Sequence, residues 1–197
     1  MKKSLLLLIL TLLLAALMLC GCTEKDIGRD MDAIKTHLSS YGEEYESFRN
    51  SERLAVLRHN ATAQELEAWF AFVEKTRAGR PASVDMVYFT DEGDPILLYL
   101  HYDGNDYMLV ADTTRDHFGT PTVSSVKYSK LVEITEESEN GRTMYHAILA
   151  NKEYESIEEL QAVWKWLTTE YPSGFDDVDT EYQPFPYELF RVPTDAE

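Results

Sequence analysis

Cysteine is nearly absent. The 197-residue chain holds two, Cys20 and Cys22, and none in the positions that follow. That excludes a disulfide framework for the body of the chain, and two cysteines two apart have poor geometry for bridging each other. Basic residues are also scarce, 18 Lys and Arg against 35 Asp and Glu, for a net charge of −17. A surface of that sign repels phosphate backbones, so nucleic acid is excluded as a partner. Histidine is thinly spread, at His37, His59, His101, His117 and His146, with no HxxxH or HxH pair. Zinc needs three or four ligands, and no convincing set emerges, although His101 and His146 fall on predicted strands and meet if those strands are neighbours. There is no Gly-rich phosphate loop and no GxSxG elbow, so no cofactor is expected and no metal. Asp177, Asp179, Glu181 and Glu188 have the spacing of calcium-loop ligands. Tyr182 holds the glycine position, however, and Pro184 and Pro186 oppose the turn.

Long apolar runs are missing everywhere except at the start, "MKKSLLLLILTLLLAALMLCGC". Lys2 and Lys3 precede a run from Leu5 to Leu19 broken only by Thr11. Fifteen helical residues rise about 22 Å, short of the ~30 Å hydrocarbon core of a bilayer. A basic start, a short apolar core and a small-residue exit read as a secretory signal peptide; the alternative is an uncleaved anchor helix. The exit Leu19-Cys20-Gly21-Cys22 resembles the lipobox of bacterial lipoproteins. The resemblance implies cleavage between Gly21 and Cys22 and diacylglyceryl transfer to the Cys22 sulfur, the best side-chain nucleophile. Two acyl chains hold a protein on a membrane where one binds only marginally. Residues 1–21 contain no acid, so losing Lys2 and Lys3 takes the net charge from −17 to −19.

Four regions follow from composition: a signal peptide over 1–21, a polar spacer over 22–52, a globular domain over 53–170 and an acidic Pro/aromatic tail over 171–197. The spacer has room for one short helix near 27–39, with Ile34 and Leu38 on one side. Thr62 and Glu65 form a capping box ahead of a helix whose apolar face is Leu66, Trp69, Phe70 and Val73. Ser156 and Glu159 repeat the pattern before Leu160, Val163, Trp164 and Leu167. Between them, alternating segments at 82–90, 96–102, 106–114, 123–137 and 142–151 read as strands, with Asp103-Gly104 and Asn140-Gly141 as tight turns. The expected architecture is α+β: a single antiparallel sheet of about five strands with two helices packed on one face, the other face bare or covered by the tail aromatics.

Glu92-Gly93-Asp94-Pro95-Ile96, Tyr102-Asp103-Gly104, Asp112, Arg115-Asp116 and Phe118-Gly119, in that order and spacing, resemble an uncharacterised domain family of Gram-positive bacterial lipoproteins. The resemblance spans about residues 53–150. It implies an extracytoplasmic lipoprotein domain and carries no activity, substrate or catalytic residue. Turn chemistry explains Glu92–Pro95 and Asp103-Gly104. Asp112, Arg115 and Asp116 have two readings: an arginine clamped by carboxylates that locks a loop, or a small site where Arg115 meets a carboxylate or phosphate. The expected function is a non-enzymatic binding or accessory role in the cell envelope. The protein would be tethered to the extracytoplasmic face of the cell membrane through Cys22 and would act on an unknown protein or small ligand. The alternatives are an extracytoplasmic enzyme using Arg115, Asp116 and His117, or an inhibitor or sensor of a membrane partner.

Overall fold

The computed structural model describes residues 27–49, 51, 53–58, 61–138, 140–170 and 185–194. Cys20, Gly21 and Cys22 lie outside these residues, as do His59, Asp177, Asp179, Glu181 and Tyr182. The elements in chain order are α1 (Met31–Ser39), α2 (Tyr45–Arg49), β1 (Leu54–Val56), α3 (Glu67–Arg77), β2 (Ala82–Phe89), β3 (Pro95–Tyr102), β4 (Tyr107–Asp112), β5 (Val123–Tyr128), β6 (Lys130–Glu137), β7 (Thr143–Ala150), α4 (Ile157–Glu170) and β8 (Tyr187–Pro193).

The strands form two sheets, which overturns the expected single sheet with two helices. One has five strands in the order β1-β2-β3-β4-β5, the other three in the order β6-β7-β8. All pairings are antiparallel except β1 with β2, which is parallel. The stretch 123–137, which alternates as one strand, divides at Ser129. There the backbone N–H leaves the first sheet and donates to the Asn151 side-chain oxygen at 2.8 Å. Val126 and Tyr128 face the core of the first sheet, whereas Val132 and Ile134 face a different core beyond the second. The third strand of the second sheet, β8, comes from the proline-aromatic tail.

Alternation along β2, β3 and β4 buries both faces of the larger sheet. Val84, Met86, Leu98, Leu100 and Leu109 face α3 and the inner side of the second sheet, where Ala147, Leu149, Phe190 and Val192 meet them. Trp69 on α3 is fully buried there and lies edge-on to Phe190 at 5.0 Å. Its indole N–H donates to the Tyr145 hydroxyl, which donates in turn to Glu133, the partner of Arg77. The buried stripe of α3 is Leu66, Trp69, Phe72 and Val73; Phe70 is 46 % exposed, against the expected face.

Val87, Leu97, Tyr99, Met108 and Val110 point the other way, onto Ile34, Leu38 and Phe48. The face expected to be bare is thus covered by residues 27–49, part of the stretch expected to be a spacer. Two apolar side chains suffice on α1 because the sheet supplies the remainder of the surface. On the outer side of the second sheet, Ile148 and Ala150 pack with Leu160 and Ile157 of α4.

Candidate functional site

Two places hold buried polar side chains near the surface of the larger sheet. The first is the loop after β4, where the sequence-predicted residues lie. Asp112 accepts from the Thr114 N–H and hydroxyl with one oxygen and from Arg115 Nη1 at 3.1 Å with the other. Arg115 Nη2 donates to the carbonyls of Leu38 and Tyr41, at 3.0 and 3.1 Å. A cation placed on terminal carbonyls satisfies groups that a helix leaves unpaired and complements its dipole. With its side chain only 10 % exposed, Arg115 is a clip that fastens the C-terminal end of α1 to the sheet. Asp116 turns away from it. Its Oδ1 accepts the N–H groups of Phe118 and Gly119, and a Cβ at position 119 would overlap this carboxylate. His117 reaches across to Asp94, which accepts from its backbone N–H at 2.8 Å and meets its Nδ1 at 3.0 Å. The structure therefore brings the "EGDP" turn and the "RDHFG" loop together through Asp94 and His117, while Asp116 braces its own loop.

The second place is a cleft at the opposite end of β2. β1 pairs only with Asp85, Met86 and Val87, so the strand stops short of Ala82, Ser83 and Val84. Alanines 68 and 71, Phe72 and Lys75 of α3 form one wall, and Ile27 and His37 the other. Asp85, Tyr99 and Arg53 complete a cavity of about 400 Å³. Asp85 is the buried polar centre: its side chain is 7 % exposed. Its Oδ2 accepts from the Tyr41 hydroxyl at 2.6 Å and pairs with His37 Nε2 at 2.8 Å. Its Oδ1 is buried with no hydrogen-bond partner among the described residues. A buried carboxylate oxygen without a donor is costly, and such an atom in a native fold calls for a ligand, an ion or water.

The surroundings hold the carboxylate in place. The hydrogen bond to Asp85 raises the His37 pKa above its ordinary value, against the opposing effect of burial. Burial, reinforced by the neighbouring Asp85 charge, pushes the Tyr41 phenol well up, so the hydroxyl stays a donor. Next to them, Ser83 Oγ lies 2.9 Å from both the Tyr99 hydroxyl and His101 Nδ1, and Tyr99 donates to the Gly28 carbonyl. His101 and His146 do not meet: they belong to different sheets, and His146 pairs with Glu188 at 2.7 Å. Among the described residues no group of three His, Cys, Asp or Glu is placed to hold a metal ion.

Sequence reasoning passed over Asp85. The available signal was a carboxylate between Val84 and Met86 in a strand otherwise built for burial. Its partners, His37 and Tyr41, sat in a stretch read as spacer. Arg115, by contrast, serves this cleft at one remove, since it anchors the helix that carries His37.

No curated protein and no solved structure matches the chain. The segment from the first residue of β1 to the middle of β7 supplies the larger sheet and α3, while α1, α2, α4 and β8 come from outside it. That segment, residues 54–146, matches DUF4362, a domain of unknown function.

Proposed function

We propose that this protein is a lipid-anchored, non-enzymatic binding or accessory domain on the extracytoplasmic face of a bacterial membrane, with the cleft between α1 and α3 as its contact site. The anchor reading is supported by the lipobox-like Leu19-Cys20-Gly21-Cys22 after a short apolar run. The observation that carries the binding reading is the unpartnered Asp85 Oδ1 beside a cavity of about 400 Å³, a volume within the usual range for small-molecule sites. The hydrogen bonds of Arg115 to Asp112, to the α1 carbonyl of Leu38 and to the carbonyl of Tyr41 just beyond α1 support a fastening role for that residue rather than a reacting one.

Two measurements test this. Intact mass of the native protein should show a diacylated chain beginning at Cys22, and Cys22→Ser should leave an uncleaved precursor or release the protein from membranes. Normal processing and membrane retention of that variant would end the anchor reading. For the cleft, Ala71→Trp fills the exposed wall of α3 without touching the core. Intact protein from detergent-solubilised membranes should retain envelope material that the Trp variant loses, and identical retention by both would remove the cleft as the contact site.

A further inference from the structure

The apolar grip of α1 on the larger sheet is small, Ile34 and Leu38. Polar ties do the rest. Tyr99 donates to the Gly28 carbonyl, Arg29 pairs with Asp103 at 3.0 Å, and Arg115 bonds the carbonyls of Leu38 and Tyr41. Arginine, aspartate and tyrosine all keep their protonation state across the neutral range. His37 is different, because imidazole changes charge between about pH 5 and 8. Its Nε2 lies 2.8 Å from Asp85 of β2. From β3, Tyr99 meets the ring edge-on at 6.4 Å, with His101 stacked on Tyr99. From beyond α1, Tyr41 meets it edge-on at 5.6 Å and donates to the same Asp85 oxygen. Arg53, ahead of β1, and Lys75 of α3 line the same cavity, and both are cations. Asp85 is therefore the counter-charge that this ring meets.

The Asp85 side chain is nearly buried, and its second oxygen has no partner among the described residues. With His37 protonated, docking α1 brings that carboxylate a counter-ion. With His37 neutral, docking brings it only neutral N–H and O–H donors, which bond roughly half as strongly. Closure of α1 and protonation of His37 are thus linked. The hydrogen bond to Asp85 raises the His37 pKa against burial. The stabilisation is then fully present below about pH 6.5, the ordinary value, and is lost as pH rises through the higher folded one.

We propose that α1 is a proton-sensitive strap, closed on the sheet while His37 and Asp85 form an ion pair and opening, ahead of the rest of the fold, as the imidazole loses its charge. Ile27 and His37 form one wall of the cleft, so opening the strap removes that wall. The inference rests on the docking of α1 and not on the binding role, so its failure leaves the contact-site reading standing.

The test is amide hydrogen exchange on the intact protein in detergent, from about pH 6 to about pH 8.5 to span the imidazole range, corrected for intrinsic rates. Amides from Ile34 to Ser39 should be less protected than those of α3 at every pH, because α1 opens first. Their protection should fall about fivefold over that range, the difference between a charge-assisted and a neutral hydrogen bond. His37→Asn keeps a donor but cannot titrate, and it should flatten the profile. Equal protection of α1 and α3, no fall with pH, or the same fall in His37→Asn overturns the proposal. If His37→Asn does not fold, the wild-type profile decides. Its midpoint should coincide with the titration of the His37 ring protons followed by NMR, and a mismatch overturns the proposal.

Discussion

Glu65 shows how one side chain joins three parts of the chain. Its carboxylate accepts from the Thr62 N–H at 2.8 Å and the Thr62 hydroxyl at 3.0 Å, the Thr62–Glu65 bonding expected from the sequence, although it closes the turn before α3, whose own N-cap, Leu66, has no side-chain bond. It also accepts from Tyr45 of α2 and from Arg58 at 2.9 Å, contacts that no local pattern announces. Burial alone would push this carboxyl up; the bonds from Thr62, Tyr45 and Arg58 outweigh it and hold the pKa down to about 2. A folded-state pKa below the unfolded value means stability that is present above the unfolded pKa and is lost as pH falls through the folded one. The window therefore runs from about pH 4.5 down to about 2. A shift of that size corresponds to about 3 kcal/mol. Glu65→Gln should lower the melting temperature at pH 7 by roughly 6–12 °C for a chain of this size, and the gap from wild type should narrow at pH 3. Equal melting curves for the two proteins at pH 7 would contradict this account.

At the scale of elements, local pattern and long-range pairing part company. The strands at 82–89, 95–102 and 107–112 were legible because apolar and β-branched residues alternate between Asp-Gly-type turns, and Gly104 takes the positive φ, +103°, that such a turn requires. Ser129 was not legible as a sheet boundary, because alternation states which side a residue faces and not which partner it pairs with. β8 was hidden by Pro184, Pro186 and Pro193 around it, since a proline argues against a central strand but is compatible with an edge. α1 was legible as a short helix near 27–39, but its place on the sheet was hidden for another reason. Its apolar stripe is only Ile34 and Leu38, thin for an independent helix, yet both are fully buried on the sheet. Most helical stability in proteins comes from such packing rather than from propensity. Leu38→Ala should therefore destabilise by roughly 2–5 kcal/mol, as core truncations do, measured by denaturant unfolding of the Cys22→Ser chain purified without its signal. A change under 0.5 kcal/mol would mean that α1 is not integral to the fold.

For the whole molecule, the site depends on a part of the chain outside the matched segment. α1 carries His37 to Asp85, and Arg115 of the 54–146 segment holds α1 there. Ile27, on the cleft wall, lies five residues after Cys22, a reach of at most about 18 Å in extended chain. In the proposed lipidated form, then, the cleft stays close to the bilayer surface, although the globule at −19 has no electrostatic reason to remain there. Anionic lipid repels it, and screening shortens that repulsion to about 10 Å at 0.1 M salt. In that form attachment would come from the two acyl chains rather than from a charged surface. The Cys22→Ser chain, purified without its signal, should therefore fail to sediment with vesicles of anionic lipid at any ionic strength, and lowering the salt should not recruit it. The acylated protein should sediment with anionic and neutral vesicles, because insertion of the chains dominates. Binding of the unacylated chain at low salt that disappears at high salt would reveal a cationic membrane-facing patch. The position of the cleft would then be set by charge rather than by the tether.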